Sequence, residues 1–171
     1  MAQYINILRQ ADIFYGMSPT QLELIDGCCQ EKSFSAGELI FPEGANSDEL
    51  YVIVQGEVDI LVNPALVSDQ PGERELVVIA TLRRGQSFGE IALVDRGLRS
   101  ASARAKQNTR LLILPREKLI KLCESFTQLG YRLMYNLAAD LALKMRNTGL
   151  RIREELLYRP KENKGKSENN T

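Results

Sequence analysis

From Phe34 to Leu114 the chain is cut into short β-prone runs, punctuated by glycines, with no helix intervening between them. The runs are Leu39–Phe41, Glu49–Val54, Val58–Val62, Leu76–Leu82, Ala101–Ala105 and Arg110–Leu114; the breaks fall at Gly37, Gly44, Gly56, Gly72 and Gly85. Parallel strands need long crossovers, usually helices, whereas antiparallel strands close through short turns. Many short strands joined by turn residues predict a mainly β roll or barrel over about residues 33–115. Within it, the polar segment from Asn63 to Glu75 reads as a long, mobile hairpin loop.

Helical patterns flank this region. Tyr4 to Gln10 places Ile5, Leu8 and then Ala11 on one face, a short amphipathic helix. Ser18-Pro19-Thr20-Gln21 opens a second, with Ser18 as N-cap, proline at the first helical position and Gln21 three residues after the cap. Leu22, Ile25 and Cys29 line its inner face. After Pro115, Leu119, Leu122, Cys123 and Phe126 recur at helical spacing. The longest pattern, Thr127 to Tyr158, carries the stripe Met134, Leu137, Leu141, Met145, Thr148, Ile152 and Leu156. At 1.5 Å per residue it reaches about 48 Å, beyond a small domain's own diameter, which points to homodimerisation through this C-terminal helix. Gly149, costing about 1 kcal/mol there, is a candidate bend. The tail 160–171 is polar and low in complexity, expected to be disordered. The 171 residues thus read as one domain over 1–159 followed by that tail.

What the chain lacks excludes much chemistry. It has no histidine, which removes Ser-His-Asp and Cys-His catalysis and histidine-ligated zinc, iron or haem. The 3 cysteines, Cys28, Cys29 and Cys123, form no Cys-x-x-Cys pair and read as buried thiols of a reducing cytosol. No metal site and no catalytic residue is expected. Gly85-Gln86-Ser87-Phe88-Gly89 lacks the lysine of a triphosphate-binding loop. Lys plus Arg and Asp plus Glu are 22 each, a balance that argues against binding nucleic acid by bulk attraction. Apolar runs fall far short of the roughly 20 residues of a membrane span, and no signal peptide is visible. The expectation is a cytoplasmic protein with no membrane or nucleic-acid partner of its own.

The stretch from Gly85 to Arg104 carries the chemistry. Phe88-Gly89-Glu90 opens a short helical turn through Ile91, Ala92 and Leu93. Gly89 allows the backbone to approach a ligand closely, and the first amides of the turn face outward toward an anion. Arg99 follows nine residues after Glu90, ahead of the small residues Ser100, Ala101 and Ser102. Folded back over the same amides, it offers a guanidinium fork for a singly charged phosphate, and Glu90 offers an acceptor for a hydroxyl. A ligand with one phosphate and one sugar hydroxyl satisfies both.

This segment closely resembles the phosphate-binding cassette of cyclic nucleotide-binding domains, the module of catabolite activator proteins, cAMP-dependent kinase regulatory subunits and nucleotide-gated channels. Phe34-Ser-Ala-Gly37-Glu-Leu-Ile-Phe-Pro-Glu43-Gly44 and Glu49-Leu-Tyr-Val-Ile-Val-Gln-Gly56-Glu-Val agree with the family's glycine-marked strands, over about residues 8–158. The resemblance implies a β-roll (jelly-roll, double-stranded β-helix) with N-terminal helices, a short cassette helix and a long C-terminal helix. It implies a non-enzymatic, cyclic nucleotide-binding regulator. Arg99 would pair with an oxygen of the cyclic phosphate, helped by Ser100 and the amides of Ile91 and Ala92. Glu90 would accept the ribose 2′-hydroxyl, Ala101 would pack beside the ligand, and Thr148 on the long helix would contact the purine. A threonine directly after the cassette arginine goes with cGMP in this family; Ser100 stands there, which favours cAMP as ligand.

The familiar activator proteins carry a helix-turn-helix DNA reader after the long helix, and this sequence shows none. Output would then pass through an unidentified downstream protein partner or through dimerisation. The alternative is a ligand-free dimerisation or interaction module on the same fold. A cupin-type barrel enzyme is rejected because it needs clustered histidines.

Overall fold

A computed structural model describes residues 3–46, 48–64, 75–95 and 97–158. Most of the expected hairpin loop, Arg96 and the tail 160–171 lie outside the described residues, as do the side chains of Ala92 and Leu156. The chain divides into two compact units, Met1–Leu137 and Ala138–Thr171.

The first unit is built on two four-stranded antiparallel sheets. In chain order the strands are β1 (Gln30–Phe34), β2 (Leu39–Phe41), β3 (Glu49–Gln55), β4 (Glu57–Val62), β5 (Val77–Arg83), β6 (Ser87–Phe88), β7 (Ser102–Ala105) and β8 (Thr109–Pro115). One sheet runs β1-β8-β3-β6 and the other β2-β7-β4-β5, so strands distant in sequence are neighbours, as in a roll. All six expected runs are strands. Gly37, Gly44, Gly56 and Gly85 have positive φ, the conformation that makes glycine the cheapest residue at those turns. Two strands were not expected. The polar sequence of β1 buries only Phe34 as it pairs with β8, and β6 has just 2 residues.

Between the sheets lies a core of Phe34, Tyr51, Ile53, Val58, Phe88, Ala103, Ala105, Leu111 and Ile113. β3 and β8 are nearly continuously apolar because they are buried on both faces. Leu50, Val52, Leu112 and Leu114 are fully buried on these strands yet stand outside that inter-sheet core.

The helices are α1 (Ile5–Leu8), α2 (Pro19–Asp26), α3 (Arg116–Ser125) and α4 (Thr127–Tyr158). α2 starts as expected: Ser18 Oγ accepts from the Gln21 amide at 3.2 Å, and the Gln21 side chain accepts from the Ser18 amide at 2.9 Å. α4 has the expected bounds and continues through Gly149. Its buried side chains in the first unit include Leu129, Leu133, Asn136 and Leu137, a line displaced from the expected stripe, of whose described side chains Leu137 alone is buried. Asn136 Nδ2 donates to the carbonyls of Ile13 (3.1 Å) and Tyr15 (2.8 Å), fixing this part of α4 to the N-terminal segment. In the second unit Leu143, Met145, Leu150, Ile152 and Leu157 are exposed.

Candidate functional site

Gly89 adopts φ 75° and leads into a 3-10 turn over Glu90–Leu93, the short helical turn expected there. The first amides of such a turn find no partner inside it. Asp95 closes the turn, its amide bonding the Ile91 carbonyl at 2.8 Å.

The loop after this turn returns the chain so that Arg99 faces it. The Arg99 amide donates to the Ala45 carbonyl (2.8 Å) and its own carbonyl accepts from Gly44 (2.9 Å). An isolated bridge joins Leu98 to Asn46 beside them. The arginine backbone is therefore clamped by the loop between β2 and β3, and its side chain enters the roll.

Arg99 and Glu90 are each only 7% exposed. Nη2 of Arg99 donates to the Glu49 carbonyl at 3.0 Å and Nη1 to the Gly89 carbonyl at 3.5 Å. Nε is buried and has no hydrogen-bond partner among the described residues. A buried guanidinium donor without an acceptor is costly, and an anion would supply the missing partner. The guanidinium carbon stands 4.1 Å from the Phe41 ring centroid and 5.4 Å from that of Tyr51. The Tyr51 hydroxyl bonds the Glu49 carboxylate. Burial foremost, then that carboxylate, raises the Tyr51 hydroxyl above its ordinary pKa, with Arg99 acting in the opposite direction.

The structure therefore brings together Gly89, Glu90, the turn containing Ile91 and Ala92, and Arg99. Ser100 is exposed and Ala101 half-buried on the chain running into β7. Ile91 is 41% exposed at the outer side of the turn. Thr148 belongs to the second unit, where its hydroxyl donates to the Lys144 carbonyl of its own helix at 2.9 Å. Phe41, Glu49 and Tyr51 were not singled out from sequence as site residues. The available signal was an aromatic within β2 and another within β3. Among the described residues, no group of three or more Cys, Asp or Glu is placed to hold a metal, and no helix is long and apolar enough to cross a membrane.

Residues 31–126 match the family model of the cyclic nucleotide-binding domain. The chain is 32% identical over 145 residues to the cyclic AMP receptor protein of Thermus thermophilus, covering 85% of this chain and 62% of that protein. It is 27% identical over 128 residues to human cGMP-dependent protein kinase 2, covering 74% of this chain and 16% of the kinase. The crystal structure of the Thermus thermophilus catabolite activator protein superposes with a TM-score of 0.70 at 31% identity, over 84% of this chain and 62% of that one. This chain thus spans less than two thirds of the length of each of these relatives. The two sheets, the glycine-led turn and the matched family model agree, and the chain belongs to the cyclic nucleotide-binding domain family.

Proposed function

We propose that this chain is a non-catalytic regulatory domain that binds one cyclic mononucleotide, cAMP in preference to cGMP, in the cytoplasm. The observation that carries the reading is Arg99: a buried guanidinium whose Nε lacks an acceptor, beside a glycine-led turn whose first residue is a buried carboxylate. Arg99, Ser100 and the amides of Ile91 and Ala92 take the cyclic phosphate at Gly89–Ala92 and Arg99–Ala101. Glu90 accepts the ribose 2′-hydroxyl. Thr148 turns its hydroxyl from its own helix to the purine. The relatives are named for both cAMP and cGMP, so the preference for cAMP rests on Ser100.

Ligand binding signals only if it favours one arrangement of the C-terminal helix over another. That helix then changes what it presents to a second copy of the chain and to a downstream protein. A second reading, a ligand-free dimerisation module, is favoured by the exposed apolar residues of the second unit, which need a partner whether or not the roll is occupied.

Isothermal titration of the purified chain with cAMP, with cGMP and 5′-AMP as controls, separates the two. The expected result is one cAMP per chain, weaker binding of cGMP and none of 5′-AMP. Arg99→Ala should weaken cAMP by about 2–5 kcal/mol, the usual cost of truncating one partner of a buried charge-assisted contact. Absence of heat with every nucleotide would leave the ligand-free reading.

A further inference from the structure

The Arg99 side chain is held by residues that come from neither the turn nor its loop. Phe41 on β2 lies against the guanidinium, 4.1 Å from ring centroid to Cζ, and Tyr51 on β3 flanks it at 5.4 Å. Both rings are fixed in turn. Tyr51 stacks on Phe88 at 4.9 Å with the planes 9° apart, and tilts against Phe41 at 5.5 Å. The Tyr51 hydroxyl is tied to the carboxylate of Glu49, whose carbonyl receives Nη2 of Arg99.

We propose that Phe41, with Tyr51 beside it, is a positioning residue of the anion site: its ring face sets the plane of the Arg99 guanidinium and leaves the in-plane donors for the ligand. An aromatic face attracts a cation within about 6 Å, more strongly once water is excluded. It does so without a hydrogen-bond acceptor. A carboxylate in the same place would neutralise Arg99 and compete with the phosphate, whereas an aliphatic side chain would fill the space and leave the guanidinium free to turn. The five N–H donors of arginine lie in its plane. Stacking consumes none of them. Two nitrogens reach backbone carbonyls, and Nε is the donor left unmatched among the described residues. The anion therefore meets a fork already oriented, and less ordering is left to the moment of binding. The identity of the ligand rests on the cyclic-nucleotide reading; the cradle itself does not.

Two measurements test it on the full chain and on Phe41→Leu and Phe41→Tyr. In the ligand-free protein, ring currents should move the Arg99 Nε–H proton resonance upfield. Phe41→Leu should return it toward its ordinary position, and Phe41→Tyr should keep it displaced. The displacement reports the ring over the guanidinium, and the affinities of the two variants report whether that face serves the anion site. By calorimetry, Phe41→Leu should bind cAMP about 10–30-fold more weakly, the range of a desolvated cation–π contact, with Phe41→Tyr close to the parent. An undisplaced Arg99 resonance in the parent overturns the proposal, as does Phe41→Leu binding cAMP like the parent. Should Phe41→Leu not fold, Phe41→Met replaces it under the same criteria. If the parent takes neither cAMP nor cGMP, the ligand reading falls, and the resonance alone decides the cradle.

Discussion

A β-carbon placed on Gly89 would stand 2.6 Å from Nη1 of Arg99 and 3.0 Å from the Glu49 carbonyl oxygen. The glycine and the arginine are thus mutually dependent. Gly89 has the positive φ that starts the turn, and its missing side chain is the room the guanidinium occupies. Gly89→Ala carries both penalties, a left-handed backbone and a displaced arginine. The backbone strain alone costs about 1–3 kcal/mol. Thermal denaturation should show that loss of stability, and calorimetry should show cAMP affinity falling toward that of Arg99→Ala. Unchanged cAMP binding by Gly89→Ala would mean that the guanidinium is not where the phosphate is held.

Glu90 begins the turn and is almost wholly buried. As acceptor for a ribose hydroxyl it contributes a charge-assisted hydrogen bond, worth about 1.5–3 kcal/mol. Glu90→Gln should weaken cAMP by about that amount and leave 2′-deoxy-cAMP little changed, because the deoxy ligand has no hydroxyl to lose. Competition binding with the two ligands makes the comparison. An equal loss for both would show that Glu90 supports the turn and does not read the sugar.

The local features were legible in the sequence and the long-range ones were not. Turn glycines declare themselves one residue at a time, as Gly37, Gly44, Gly56 and Gly85 did. So does a capping box, since Ser18 and Gln21 lie three positions apart. Gly89, Glu90 and Arg99 sit in one short segment, so their spacing could be read directly. Phe41, Glu49 and Tyr51 join them only because the Arg99 backbone is clamped to Gly44 and Ala45, a pairing of two loops distant in sequence that no local pattern encodes. The strand β1 escaped because its outward residues Gln30, Glu31, Lys32 and Ser33 hide the period-two signal. On α4, apolar residues lie on more than one line, and periodicity cannot say which is covered. The covered line runs through Leu129, Leu133 and Leu137.

Burial pushes the Cys29 thiol up from its ordinary value near 9 to about 12, with Asp26 and Cys28 adding to the shift. Its Sγ donates to the Ile25 carbonyl at 3.3 Å, a bond available only to the protonated form. A pKa raised on folding means that the folded state holds the proton more tightly than the unfolded one. The contribution is therefore complete below pH about 9 and is lost as pH climbs to about 12. Denaturant midpoints should fall across that window, and less steeply in Cys29→Ala. At pH 8 the native thiol should resist iodoacetamide while the unfolded chain reacts. Rapid alkylation of native Cys29 at pH 8 would contradict the burial assigned to it.

The proposed dimer places the second unit's apolar residues against those of another copy. Leu141, Met145, Thr148 and Ile152 recur at intervals of four, three and four, the spacing of a coiled-coil seam. Met145 is 76% exposed and Ile152 52% exposed, so this seam has side chains to bury. Each Å² of apolar surface removed from water contributes roughly 25 cal/mol, and a stable interface needs about 1,200 Å² or more in total. Leu141→Glu sets a charge into the seam of each copy, so that two carboxylates face one another across the two-fold axis. Sedimentation should show the parent at the mass of a dimer and Leu141→Glu at that of a monomer. Calorimetry on the same variant should still find cAMP bound, because the phosphate site in the roll is built from the first unit alone. An unchanged mass for Leu141→Glu would remove this helix from the interface.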